Sequence, residues 1–597
     1  MGDQHWEGRG APWEHDPGPP RNRRWLRLFG DTPNYRGIGK AVEGRDLFRW
    51  HFGPMFYRGR LGDGQVKVLV VGQEGAQDES LSHRAFTGGT GARMQHFLGH
   101  LGIVRSYLFL NTFVYPIFGQ YVGLLPKLAQ HPASPIARHR GELFDYVAER
   151  NDLRLAIAVG KAAQESMATW VRDHGATADP GRLHLADASV ISPKLHIIGV
   201  RHPGGATDAG ATAEIVKSFK DAITRVHGWL EDDPGWLPVD PGGERRSAAA
   251  FTYSSAPIPF RDLPYGSAWR LGRGGTSSNR RDGQRAIQLF SSKGRYNNSG
   301  HRLTYGNAPG GSLDGYSAPP GDLAWEPPRA TPDEFDPGPG ATFERLLQGG
   351  LAGFAWPDWG ALGLQAAPSL GTGPIYRGRL AEPSILVLAD QESHDDVFTM
   401  RAATGDAGQR LQAFLTAAGL TRRYGILRVL PVDTLQEASA RVRAAVDSAD
   451  VRDLYTEAVR RSRAQVVLLV GPLARRLGDH VVPAGTPVVT MKSRRESGAD
   501  ASWRAALTEL EALSYPRDLT TPSFDYAGER QQIPRQDLPY GTLRWQATSG
   551  DRAQRPTRDG AASFDYYKIT MPSWAAALAP PPLSATEAAA VEELREA

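Results

Sequence analysis

One repeat constrains this chain more than any other feature of its sequence. The stretch Gly53-Pro-Met-Phe-Tyr-Arg-Gly-Arg-Leu61 returns, one residue shorter, as Gly373-Pro-Ile-Tyr-Arg-Gly-Arg-Leu380. The run from Val70 to Leu98 lies without a gap against Val387 to Leu415, and Asp262-Leu-Pro-Tyr-Gly266 comes back as Asp537-Leu-Pro-Tyr-Gly541. At 597 residues the chain outgrows a single hydrophobic core. A repeat of this extent implies two tandem copies of one domain. Residues that differ at matched positions then help to separate chemistry from scaffold.

Each copy carries four short β-rich runs, at 66–71, 107–112, 153–159 and 195–200 in the first and at 385–389, 424–429, 465–470 and 487–491 in the second. Nearly continuous Val, Ile and Leu marks strands buried on both faces, which calls for a parallel sheet covered by helices. The segments 91–101 and 408–419 have the spacing of amphipathic crossover helices. The expected fold class is α/β, with two tandem three-layer α/β/α domains built on four-stranded parallel central sheets. A basic, Pro/Gly-rich extension follows each. The expected division is 1–50 as an N-terminal basic extension, 51–232 as the first domain, 233–330 as a basic extension and linker, 331–515 as the second domain, and 516–597 as a C-terminal extension.

The sequence contains no Cys, which excludes disulfides, cysteine-held iron–sulfur clusters and thiol nucleophiles. No apolar run approaches the roughly 18 residues of a membrane helix, and the N-terminus lacks the order of a signal peptide, so a cytoplasmic location and no membrane partner are expected. Net charge is only +4, but the basic residues cluster. Arg270, Arg273, Arg280 and Arg281 crowd a segment interleaved with Trp269, Phe290 and Tyr296. Basic residues mixed with aromatics suit a phosphate backbone with stackable bases, so DNA is the expected partner. A solvated linker is the plainer reading of that segment.

In an open parallel sheet, ligands bind at the carboxyl ends of the strands. After the first strand comes Gly72-Gln-Glu-Gly-Ala-Gln-Asp-Glu79, then Ala85-Phe86-Thr-Gly-Gly. The second strand ends Leu108-Phe-Leu-Asn111, and the fourth ends Val200-Arg-His202-Pro-Gly-Gly205. This ordered set resembles the uracil-DNA glycosylase superfamily, over roughly residues 53–230. Gly72-Gln-Glu74, Phe86, Leu110-Asn111 and His202-Pro203 match the family's motifs in type, order and strand position.

The resemblance implies the roles. Breaking an N-glycosidic bond puts positive charge on the sugar and negative charge on the departing base, which must first leave the stack. Glu74 stands where the family has its catalytic Asp and would activate water; Asp78 and Glu79 are alternatives. His202 would hydrogen-bond the base as charge accumulates. Asn111 would read a pyrimidine edge, Phe86 would stack on the ring, and Gln73 and Ala76 would line the base pocket. Arg84, Arg201, Gly204, Gly205, Arg270, Arg273, Arg280, Arg281, Lys492, Arg494 and Arg495 are expected on the DNA side. No metal and no cofactor are implied.

The second copy has Ala403 for Phe86, Arg428 for Asn111, Gln391 (or, with a one-residue gap, Glu392) for Glu74, and Lys492-Ser-Arg-Arg495 near the place of the His202 loop. It reads as a degenerate partner that stabilises the first or grips phosphate, in a monomer with an internal pseudo-dimer. Uracil-specific members crowd the pyrimidine C5 position with a Tyr where this chain has Ala76. The expected reaction is therefore monofunctional excision of a pyrimidine bulky at C5, such as glucosylated hydroxymethylcytosine of phage DNA, as antiviral defence. Ordinary uracil repair and a non-catalytic DNA sensor are the alternatives. The bulky wedge that usually follows His-Pro-Ser is missing from Gly204-Gly-Ala-Thr-Asp208, leaving His83, Arg84, or the segment around Tyr265 and Trp269 to supply it.

Overall fold

Val, Ile and Leu runs become the buried strands of two sheets. The computed structural model describes residues 8–21, 24–117, 125–267, 287–291, 294–295, 335–364, 375–435, 439–547, 553–554, 567–570 and 579–597. The first sheet holds β1 (Arg58–Gly59), β2 (Val68–Gly72), β3 (Tyr107–Asn111), β4 (Leu155–Val159), β5 (His184–Asp187) and β6 (His196–Val200), in the order β1-β3-β2-β4-β6-β5. Strands β2, β3, β4 and β6 are parallel, as expected. Two antiparallel edges, β1 and β5, bring the total to six rather than four. Edge strands of two and four residues are too short to carry a readable alternation.

Two tail segments, β7 (Ile287–Ser291) and β8 (Gly294–Arg295), precede the second sheet. That sheet holds β9 (Tyr376–Gly378), β10 (Ile385–Ala389), β11 (Tyr424–Arg428), β12 (Val466–Val470) and β13 (Val488–Met491), in the order β13-β12-β10-β11-β9. Strands β10 to β13 are parallel and β9 is an antiparallel edge. Segments β14 (Ala553–Gln554) and β15 (Tyr567–Thr570) join β7 and β8 in a small third sheet. Helices cover the two large sheets; Gly89–His100 and Gly405–Ala417 connect matched strands.

Matched positions make matched contacts. Phe86 and Ala403 both hold left-handed backbone, at φ 54° and 52°, as do His83 and Met400 at 57° and 63°. Non-glycine residues adopt this region only where the surroundings impose it. One cause is visible: a Cβ on Gly91 would lie 1.6 Å from the Phe86 carbonyl oxygen, and one on Gly408 would lie 1.9 Å from that of Ala403. The Asp240 carboxylate accepts the backbone N–H groups of Val104, Arg105 and Ser106, and Asp518 accepts those of Thr421, Arg422 and Arg423.

The Asp-Leu-Pro-Tyr-Gly elements tie the halves together. Asp262 is buried against Arg58, Arg60 and the Tyr107 hydroxyl of its own half. Three residues on, the Tyr265 carbonyl accepts a hydrogen bond from Arg401 of the other half. The second element does the converse: Asp537 receives Arg377 and Tyr424, while the Tyr540 carbonyl accepts from Arg84. Phe398, Tyr540, Leu543 and Trp545 are packed into the first half's largest core. The halves therefore share hydrophobic interior.

Candidate active site

Glycine at position 72 decides the geometry at the end of β2. A Cβ there would fall 2.3 Å from the Phe86 ring and 2.9 Å from Asn111 Oδ1, so both side chains lie directly against this residue. Asn111 ends β3, in register with Gly72. The Phe86 ring packs on Phe109 with centroids 4.9 Å apart. The second half has Ala389 in the place of Gly72, and a methyl is tolerated there because Ala403 has replaced the ring.

Beyond β2 the ladder continues. Thr112 and Phe113 donate their N–H groups to the carbonyls of Gly72 and Gln73, which holds the start of the acid loop. Glu79 is consumed by this loop: it accepts from the backbone of Ala76, Thr87 and Gly88. It is therefore not the water-activating group. Asp396 accepts from Thr404 in the same way, so the loops have equal length and Gln391, not Glu392, is the positional counterpart of Glu74. The side chain of Asp78 lies outside the described residues. Burial raises the Glu74 pKa to about 7, with a Gln73 hydrogen bond and Arg49 drawing it back and Glu79 adding to it. Ala76 contributes only a methyl group at the helix start.

His202 follows β6, two parallel strands from β2. A Cβ on Gly160, after β4, would lie 3.1 Å from His202 Cβ, so glycine lets the loop close over the strand end. The Gly204 N–H donates to His202 Nδ1 at 3.1 Å, which leaves the proton of a neutral ring on Nε2. Desolvation, then Arg93, holds the His202 pKa below its ordinary value, although part of the residue is exposed to solvent. The loop is braced by the Tyr253 hydroxyl, which donates to the Pro203 carbonyl, and Arg93 lies over the Tyr253 ring. From β3 to β6 is three strand spacings, roughly 14 Å.

Two groups at these strand ends stand out chemically. Glu74 Oε2 and both polar atoms of the Asn111 side chain are buried without a hydrogen-bond partner. An unsatisfied buried amide costs about 1–3 kcal/mol, a cost that a ligand able to pair with it would remove.

Arg84 does not face DNA. It is fully buried, ion-paired to Asp16 at 2.5 Å, and hydrogen-bonded to the carbonyls of His83 and Tyr540. Arg401 repeats this arrangement with Asp336. As wedges, His83, Arg84 and Tyr265 are equally ruled out, since all three are buried. Arg201, Gly204 and Gly205 are exposed beside His202, with Arg201 near Glu214. Lys492 and Arg495 are exposed, while Arg494 is paired with Asp500 over the Trp503 ring. Arg270, Arg273, Arg280, Arg281 and Trp269 lie outside the described residues.

In the second half Arg428 stands where Asn111 stands in the first. Arg428 is buried, donates to the carbonyls of Leu430 and Val432, and lies 3.7 Å from Asp396. Sequence reasoning missed Met55, whose Sδ would be 2.0 Å from a Cβ on Gly75. A signal existed: Gly53–Leu61 is one residue longer than its repeat, and the extra length falls beside Met55.

An acid, an amide, an aromatic ring and an imidazole therefore lie at the carboxyl edge of one parallel sheet. Residues 60–220 match the model of the Uracil DNA glycosylase superfamily. No curated protein matches the chain.

Proposed function

We propose that the first half is a monofunctional DNA glycosylase that excises a pyrimidine bulky at C5, and that the second half is a degenerate copy retained for stability and DNA contact. The observation that carries this reading is the set of buried, unpartnered polar atoms on Glu74 and Asn111, with Asn111 and the Phe86 ring both against Gly72. An extruded base satisfies the Asn111 amide at its edge and stacks on Phe86. Ionised Glu74 takes a proton from water as the water oxygen bonds to C1′. The glycosidic bond breaks, its electron pair leaves with the base, and Nε2–H of His202 donates to the base oxygen that gathers the charge.

Ala76 supports a bulky substituent, because its methyl leaves open the space that a tyrosine ring would fill beside C5. Glucosylated hydroxymethylcytosine of phage DNA is a pyrimidine of that kind, and antiviral defence is the biological role that goes with it. The test is to incubate the full chain with DNA carrying glucosylated hydroxymethylcytosine, uracil or no modification, and to score alkali-labile abasic sites. Cleavage confined to the modified DNA is expected. Release of uracil alone would remove the substrate assignment and leave the reaction class standing. Binding with no abasic sites in any DNA would remove the enzymatic reading.

A further inference from the structure

A second cluster of ligating side chains lies at the opposite end of the first sheet. Strands β5 and β6 are antiparallel, and Asp187 pairs directly across from His196. His184 is three residues before Asp187, and in a regular strand that odd separation would put it on the other face. The register shifts between His184 and Ala186, so that Leu185 and Ala186 are both buried while His184 and Asp187 point outward together. A bulge of this kind re-aims a side chain at the cost of one ladder position. Here the strand is irregular at the place where irregularity brings a second imidazole to the same carboxylate.

We propose that His184, Asp187 and His196 form a three-ligand site for a zinc-class divalent cation, with the fourth position open to solvent. Their donor atoms all lie within 4.8 Å of one another. Donors about 2.0–2.2 Å from a tetrahedral ion stand about 3.4 Å apart. The exposed Asp187 has the freedom to close that difference. Two imidazoles and one carboxylate select zinc, cobalt or nickel over magnesium or calcium, which want oxygen.

The surroundings suit the role. Trp229 stacks on the His196 ring with centroids 4.1 Å apart and meets His184 edge-on at 5.1 Å, while Trp236 contacts His196 at 5.1 Å. These indoles orient both imidazoles. Two sets of contacts compete: His184 Nε2 and His196 Nδ1 both pair with Asp187 Oδ1, and Arg225 donates to His184 Nδ1 at 3.2 Å, which in a neutral ring puts the proton on Nε2 and blocks that nitrogen. Arg225 is exposed and has only to swing away for Nδ1 to take the proton instead. The second sheet ends at β13, and no strand among its described residues corresponds to β5. The site therefore belongs to the first half alone.

Six residues separate His196 from His202, so the ion would sit roughly 20 Å from the proposed reaction centre. It would clip the outer strand to β6 and to the helix Ala209–Asp232 that carries Trp229, acting on stability rather than on bond cleavage.

The experiment uses the untagged full chain after chelation, titrated with Zn2+ by calorimetry and with Co2+ by visible absorption. One equivalent of Zn2+ per chain, tetrahedral Co2+ bands and a Tm rise of about 5 °C at saturating Zn2+ are expected. Asp187→Asn keeps the exposed residue's size and should weaken Zn2+ binding at least tenfold, and Arg225→Ala should strengthen it. Substoichiometric binding, or binding unchanged in a His184→Ala, His196→Ala double variant, would overturn the assignment. Abasic-site formation is expected to survive chelation, so failure of the metal site and failure of the glycosylase reading are separately visible.

Discussion

Replacing Glu74 with Gln should make the protein more stable and far less active. Burial lifts the Glu74 pKa from the ordinary 4.5 to about 7, so the folded state disfavours the ionised form by about 3 kcal/mol. The sign follows from linkage. A carboxyl whose folded pKa is raised costs nothing while both folded and unfolded chains are protonated, and the cost grows as pH rises from 4.5 to about 7. Above that window the full penalty is present in the native protein. Glutamine keeps the size and the contact with Gln73 but cannot ionise. Thermal unfolding of Glu74→Gln at pH 8 should therefore gain up to about 3 kcal/mol over the native chain, or roughly 5 °C in Tm, and under about 1 kcal/mol at pH 5. Single-turnover rates on the base that the native protein releases should fall by about 10²–10⁴ in the variant. The native rate should climb through pH 7 and level off above it, while the residual rate of the variant stays flat. A native rate independent of pH across 5–9, or a variant as fast as the native enzyme, would refute the assignment of Glu74 as the ionised group. An equal stability gain at both pH values would refute the burial argument.

Asn111→Ala should lower kcat/KM at least tenfold with little change in Tm, because the amide has no internal partner to lose. Arg84→Ala should cost about 3–5 kcal/mol, because it strands the buried Asp16 carboxylate, while the salt dependence of DNA binding by the variant at low temperature stays as in the native protein. Arg401→Ala should behave likewise through Asp336. Ala76→Tyr should suppress release of the glucosylated base and spare uracil, and equal loss on both substrates would argue against a C5 pocket. Gly91→Ala would drive a methyl into the Phe86 carbonyl, and activity should fall with the displaced ring even in chains that remain folded by circular dichroism.

The eight parallel strands were legible because each is a short run rich in aliphatic residues, and the repeat supplied the pairing of their ends. The placement of Glu74, Asn111 and His202 in or just after the carboxyl ends of strands was legible, because the strands themselves were and ligands of such a sheet bind where its strands stop. Edge strands β1, β5 and β9 were not, since two to four residues carry no period. Arg84 was misread because an arginine beside a polar loop looks solvated until its partners are known, and those are Asp16 and the Tyr540 carbonyl, far away in sequence.

The amino-acid order alone determined the doubled α/β plan and the residue types at each strand end, because burial periodicity and strand-end position are local properties. Only the tertiary structure decided which charges are buried and which polar atoms stand unpaired. It also decided how a bulge turns His184 toward Asp187, because burial and partnership depend on segments hundreds of residues apart meeting in space.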